Sequence, residues 1–145
     1  MKNYLLLPGL LLLCGLLAGC QSPSKSASAT TSLEGTIWTL VALDGKPVAT
    51  TEGLRPQTLF LDGLSKRLNG LSGINRYSGG YELGAKTIKF GMLISTRMAG
   101  PTQAMEMETA FLKALNDTTG WAVDGTHLTL RSKDKVVAEF VAQPR

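Results

Sequence analysis

The sequence predicts an α+β domain: a curved antiparallel β-sheet, wound as a meander, with one main α-helix packed on it. Apolar and polar residues alternate with a period of two through most of the chain beyond residue 33, as in TIWTLVAL and THLTL. Gly and Asp recur between these runs, where short antiparallel strands would turn. A single segment, PTQAMEMETAFLKALND, switches to helical spacing.

In chain order, TIWTLVAL sets Trp38 and Leu40 on one face and Ile37 and Thr39 on the other, before a turn at Asp44, Gly45 and Lys46. QTLFLD places Leu59 and Leu61 opposite Phe60 and stops at Asp62 and Gly63. RLNGLSGIN and GYELGAKTIKFG are short strands divided by glycine-rich turns. The helix carries Ala104, Met107, Phe111, Ala114 and Leu115 on one face, with Gln103, Glu106 and Lys113 opposite. Thr102, after Pro101, is its expected N-cap, and Glu106 and Glu108 near its start suit the helix dipole. Three strands follow in WAVDGTHLTLRSKDKVVAEFVA: 121–123, 128–130 and 136–141.

The N-terminus has a different character. Lys2 precedes a leucine-rich stretch that is too short and too broken by glycine for a membrane span but proportioned as a secretory signal. It ends in Leu17-Ala18-Gly19-Cys20, which resembles the lipobox of bacterial lipoproteins. The expected organisation is a signal peptide over 1–19, lipidated Cys20 with a flexible tether over 20–32, and a folded domain over 33–145. At roughly 0.8 kcal/mol per buried CH₂, two or more acyl chains on Cys20 hold a protein stably at a bilayer. Gln21 in place of Asp points to sorting to the outer membrane, facing the periplasm. The tether, QSPSKSASATTS, has no apolar residue larger than Ala and cannot form a core. As a flexible chain it spans on the order of 20 Å. Cys14 leaves with the signal and Cys20 is consumed by lipid, so no disulfide is expected.

The 15 Lys and Arg against 11 Asp and Glu give a net charge of +4, scattered in sequence rather than run together. Nucleic-acid binding wants a clustered basic face, and none is expected. The one histidine, His127, lies on the solvent side of its strand, without a second His or a thiolate to build a transition-metal site. No G-x-S-x-G marks a nucleophile, and Glu106 and Glu108 point to different helix faces. The reading is therefore of a protein that is not an enzyme, with no cofactor, no metal and no catalytic residues. Trp38 and Trp121 are read as core, as are most of Met92, Met98, Met105 and Met107.

SGINRYSGGY (72–81) reads as a tight glycine turn with Arg76 and Tyr77 riding on it, exposed to an anionic or peptide partner. With its neighbours it says more. LEGTIWTL, LSGINRYSGGYEL, ISTRMAGP, MEMETAFLKAL and LTL occur in the order seen in the META domain family, which the chain resembles over 33–140. That family includes the HslJ-type bacterial envelope proteins. The resemblance implies antiparallel strands with a packed helix, no established enzymatic activity, stress-linked phenotypes, and a likeness to lipoprotein pilotins of type III secretion. Many members read Gly-Cys-Asn where this chain has Gly73-Ile74-Asn75, and Met-Ala-Cys-Pro where it has Met98-Ala99-Gly100-Pro101. The resemblance thus implies a junction in which Ile74 faces Gly100 beside Asn75, replacing a cysteine pair. Arg76 and Arg97, each just past one half of that junction, would lie near one another. With Tyr77 they are the expected partner-binding surface. The expected partners are the membrane, through the lipid, and an envelope protein or peptide, met by a monomer. The alternative is a pilotin-like carrier holding an acyl chain or a partner helix in an apolar groove.

Overall fold

The computed structural model describes residues 31–49 and 54–144; the signal peptide, Cys20 and nearly all of the tether lie outside them. Among the described residues the chain forms β1 (Ile37–Leu43), β2 (Lys46–Pro47), β3 (Thr58–Asp62), β4 (Arg67–Leu71), β5 (Arg76–Leu83), β6 (Ile88–Phe90) and β7 (Ile94–Ser95). There follow α1 (Thr102–Asn116), β8 (Gly120–Asp124), β9 (His127–Ser132) and β10 (Lys135–Ala142). No described helix is long and apolar enough to cross a membrane.

All pairings are antiparallel, in the spatial order β6-β5-β4-β3-β1-β10-β9-β8. The expected meander is corrected here: β1 lies in the middle, with β3 on one side and β10 on the other. The two ends of the sheet also meet. Thr87 forms an isolated bridge with Gly120, the Ile88 N–H donates to Thr119 O at 3.2 Å, and the Trp121 N–H donates to Lys86 O at 3.1 Å. The sheet is therefore a nearly closed barrel. Register shifts between Leu40 and Ala42 and between Val136 and Ala138 bend β1 and β10, as bulges do.

Alternation decides the interior. Trp38, Leu59, Leu61, Leu68, Leu128, Leu130 and Phe140 are fully buried, and α1 adds Phe111, Ala114 and Leu115 to the same core. The Phe111 ring meets Tyr77 edge-on at 5.7 Å and Phe140 at 6.2 Å, so the helix is keyed into the barrel by aromatic contacts. The Trp38 indole donates to Leu33 O at 2.9 Å, which ties the start of the domain to its centre. Thr31 N–H donates to Gly125 O at 3.0 Å, so the chain enters beside the β8–β9 turn.

Several local expectations are revised. Pro101, in extended conformation, occupies the N-cap position, Thr102 is already helical, and no side chain caps the end. The first turn holds no acidic residue, and Glu108 points into the core rather than toward the helix dipole. Met92 and Met98 are exposed, at 85% and 57%, and fill no core. Trp121 is half-buried. The turn expected across 72–81 is shorter: residues 72–75 make it, with Gly73 at φ +120°, while Gly79 and Gly80 belong to β5. Gly79 has a packing reason to be glycine, since a Cβ there would lie 2.9 Å from Leu93 Cδ2.

Candidate functional site

The junction is a buried polar knot. Asn75 uses its whole side-chain capacity. Its amide donates to Glu108 Oε1 at 2.8 Å and to Met98 O at 3.1 Å. Its carbonyl accepts from Thr96 Oγ1 and from the Met98 N–H, both at 2.7 Å. The Asn75 N–H donates to Glu108 Oε2 at 3.2 Å, and Ser72 donates to Asn75 O through its N–H at 2.8 Å and its hydroxyl at 3.0 Å. Glu108 was missed as a functional position because its helical spacing reads as the first turn. Only its separation of 33 residues from Asn75 is bridged by folding.

Ile74 and Gly100 meet beside this knot. A Cβ built on Gly100 would lie 1.8 Å from Ile74 Cδ1, 3.1 Å from Cγ1 and 3.7 Å from Cγ2, so isoleucine fills the space that glycine leaves. Ile74 Cβ is bonded to Cγ1, so the two Cβ positions are at most about one bond further apart than the Cγ1 contact, close to the upper end of the roughly 3.5–4.5 Å that a disulfide requires.

Tyr77 is not on the surface. Its phenol is buried at 2% exposure, donates to Thr58 O at 2.7 Å, and is pushed above the usual tyrosine range by burial. The period of two puts Arg76 out and Tyr77 in. Gly70 makes this possible, since a Cβ there would stand 2.0 Å from Thr58 O and 2.9 Å from the Tyr77 hydroxyl. Arg76 and Arg97 are exposed. Arg76 exchanges backbone and side-chain bonds with Thr96, at 3.0 Å from the Thr96 N–H and 3.2 Å to its Oγ1, so Arg97 sits one residue beyond.

Outside these residues runs a groove of about 720 Å³. Its floor is one cross-strand row: Ile37 opposite Phe60, Phe60 opposite Asn69, Asn69 opposite Ser78, and Ser78 opposite Ile94. Ile37 and Ile94 are 47% and 66% exposed, and Arg76 lines the groove with them. Arg76 and Arg97 have no ion-pair partner among the described residues. A second cleft, of about 670 Å³, lies between β1, β2 and the N-terminal half of α1, with Leu40, Val41, Val48, Ala104 and Met107 in its walls.

His127 is exposed on β9, across from Val141. Among the described residues no three His, Cys, Asp or Glu stand close enough together to hold a metal ion. At the barrel end near residue 34, Tyr81 donates to Glu34 Oε1 at 2.5 Å, and Lys66 donates to the same oxygen at 2.8 Å. The Lys66 hydrogen bond, then that of Tyr81, holds the Glu34 carboxyl below the usual range.

A small antiparallel barrel, nearly closed and keyed by one helix across a buried asparagine knot, defines the class. The META domain model matches residues 31–145, and the chain belongs to the META domain family. It is 33% identical to a protein from Burkholderia xenovorans solved by NMR, with a TM-score of 0.63, covering 78% of this chain and 85% of that one. A second NMR structure is similar at 22% identity and TM-score 0.57, covering 75% of this chain and 91% of that one. A DUF4847 family protein from Bacteroides vulgatus shares the fold at 14% identity and TM-score 0.53, with 82% and 95% covered. No curated protein matches the chain.

Proposed function

We propose that this META domain protein is a non-enzymatic, monomeric envelope lipoprotein that binds a protein or peptide in a stress-related or assembly-supporting role. In this reading Cys20 carries the lipid, the outer membrane holds the chain, and the tether lets the barrel reach a partner in the periplasm. The observation that supports it most is the cross-strand row that carries Ile37, Phe60 and Ile94 beside the Arg76 guanidinium, which has no ion-pair partner among the described residues. An extended segment with alternating apolar side chains and one carboxylate matches that surface, since aromatic side chains and arginine are enriched where proteins meet.

The test places a photo-crosslinking residue at position 94 of the full lipoprotein in living cells. One defined protein adduct, lost when Arg76→Glu and Arg97→Glu are added to a still-folded chain, is the expected result. Unchanged trapping in that variant overturns the groove as the site. A second reading, a carrier for an acyl chain or a partner helix, is favoured by the 670 Å³ cleft with apolar walls beside α1. Adducts to lipid alone, formed from position 107 and not from position 94, would favour that reading.

A further inference from the structure

The seam that closes the barrel gathers charge that the sequence scatters. Lys86 precedes β6, Arg131 lies on β9 and Lys133 sits in the β9–β10 turn, yet all three line one groove of about 580 Å³ with Trp121, Thr87 and Thr119. No Asp or Glu lines this groove, and none of the three cations has an ion-pair partner among the described residues. Such a cluster raises the local potential for an anion.

The backbone holds the cluster in place. Arg131 is opposite Gly120 in the β8–β9 ladder, and the Thr119 N–H donates to Arg131 O at 2.7 Å. The Lys133 N–H donates to Thr119 Oγ1 at 2.8 Å, with Lys133 held at φ +54°. Lys86 O accepts from Trp121 N–H, and a Cβ on Gly120 would crowd it at 3.3 Å, so glycine lets the two edges approach. The Trp121 indole N–H is already engaged with Gly84 O at 3.2 Å, which orients the ring and leaves its apolar face to serve the groove.

We propose that this seam groove binds a phosphorylated saccharide. Arg131 offers the planar fork that pairs with phosphate oxygens, Lys86 and Lys133 add point charges, and the apolar face of a sugar ring lies against Trp121. This site is separate from the cross-strand row, and the proposal stands without the peptide-binding reading.

The test titrates the full chain with glucose 1-phosphate, inorganic phosphate and glucose, following tryptophan emission and the amide resonances of Gly120 and Trp121. Trp38 is 0% exposed, so ligand-dependent emission change reports on Trp121. Glucose 1-phosphate is expected to saturate in the range of about 1 mM, inorganic phosphate about ten-fold more weakly, and glucose not at all. In Lys86→Gln/Arg131→Gln/Lys133→Gln the amide spectrum stays folded and glucose 1-phosphate binding weakens by about ten-fold or more. No saturable shift below about 10 mM, or undiminished binding in the triple variant, overturns the site. Equal affinity for inorganic phosphate overturns the saccharide part. Binding to phosphatidylglycerol vesicles that the triple variant loses, without binding of glucose 1-phosphate, replaces the saccharide with a lipid headgroup.

Discussion

The Asn75 knot and the β6–β8 seam both join segments far apart in the chain, and they do it with opposite chemistry. At the knot, Asn75 is 1% exposed, and its side-chain donors and acceptors all find partners. At the seam, only a few backbone bonds hold the edges, and three cations face solvent without a counter-charge among the described residues. Buried groups that are fully satisfied specify a structure, while exposed charges left unpaired are free to meet something else. The contrast assigns residues 72–75 to architecture, while the seam cations form a surface that no single stretch of sequence displays.

The largest test of this contrast is Asn75→Ala. It strips the buried Glu108 carboxylate of the one donor it has from the Asn75 side chain and leaves the Met98 N–H and carbonyl unpaired, so urea denaturation should show a loss of about 3 kcal/mol. A loss below about 1 kcal/mol would reduce the knot to an ordinary turn. Next, Ile74→Cys/Gly100→Cys should oxidise and, relative to its reduced form, gain about 2–3 kcal/mol, read as a shift of the urea midpoint with and without reductant. Failure to oxidise would mean that the two positions do not present their Cβ atoms to each other.

A smaller effect is expected at Glu34. A carboxylate held below its unfolded pKa contributes stability that is present above the unfolded value and lost as pH falls through the folded one. Wild type should therefore lose more stability than Glu34→Gln between pH 5 and pH 3, about the interval around the ordinary carboxylate value. Parallel losses in the two proteins would show that the Lys66 and Tyr81 bonds do not favour the charged form. The smallest change belongs to the seam: Lys86→Gln/Arg131→Gln/Lys133→Gln should alter stability by no more than about 0.5 kcal/mol. A clear loss there would make the cations part of the closure and erase the distinction between the two regions.

The strands were legible because burial alternates with the side-chain period: Trp38 and Leu40, Leu59 and Leu61, and Leu128 and Leu130 all point inward as their spacing predicts. The helix was legible for the same reason at Ala104, Phe111, Ala114 and Leu115. Closure was not, because it depends on Thr87 reaching Gly120, a pairing that no local pattern encodes. Tyr77 reads as exposed only while the turn runs to residue 81; with β5 starting at Arg76, alternation sends the phenol inside. Glu108 escaped because a glutamate near a helix start has an ordinary local explanation, and its true partner lies on another element. The seam cations escaped because charge scattered in sequence was equated with charge scattered in space.

The central place of β1 has a mechanical consequence. Any pull delivered through residues before Thr31 arrives at a strand that is hydrogen-bonded on both flanks, to β3 and to β10. Those bonds run across the strand, so a load along it must shear two ladders together rather than peel one edge bond by bond. Force along β1 from that end is therefore shared between two ladders instead of falling on a free edge.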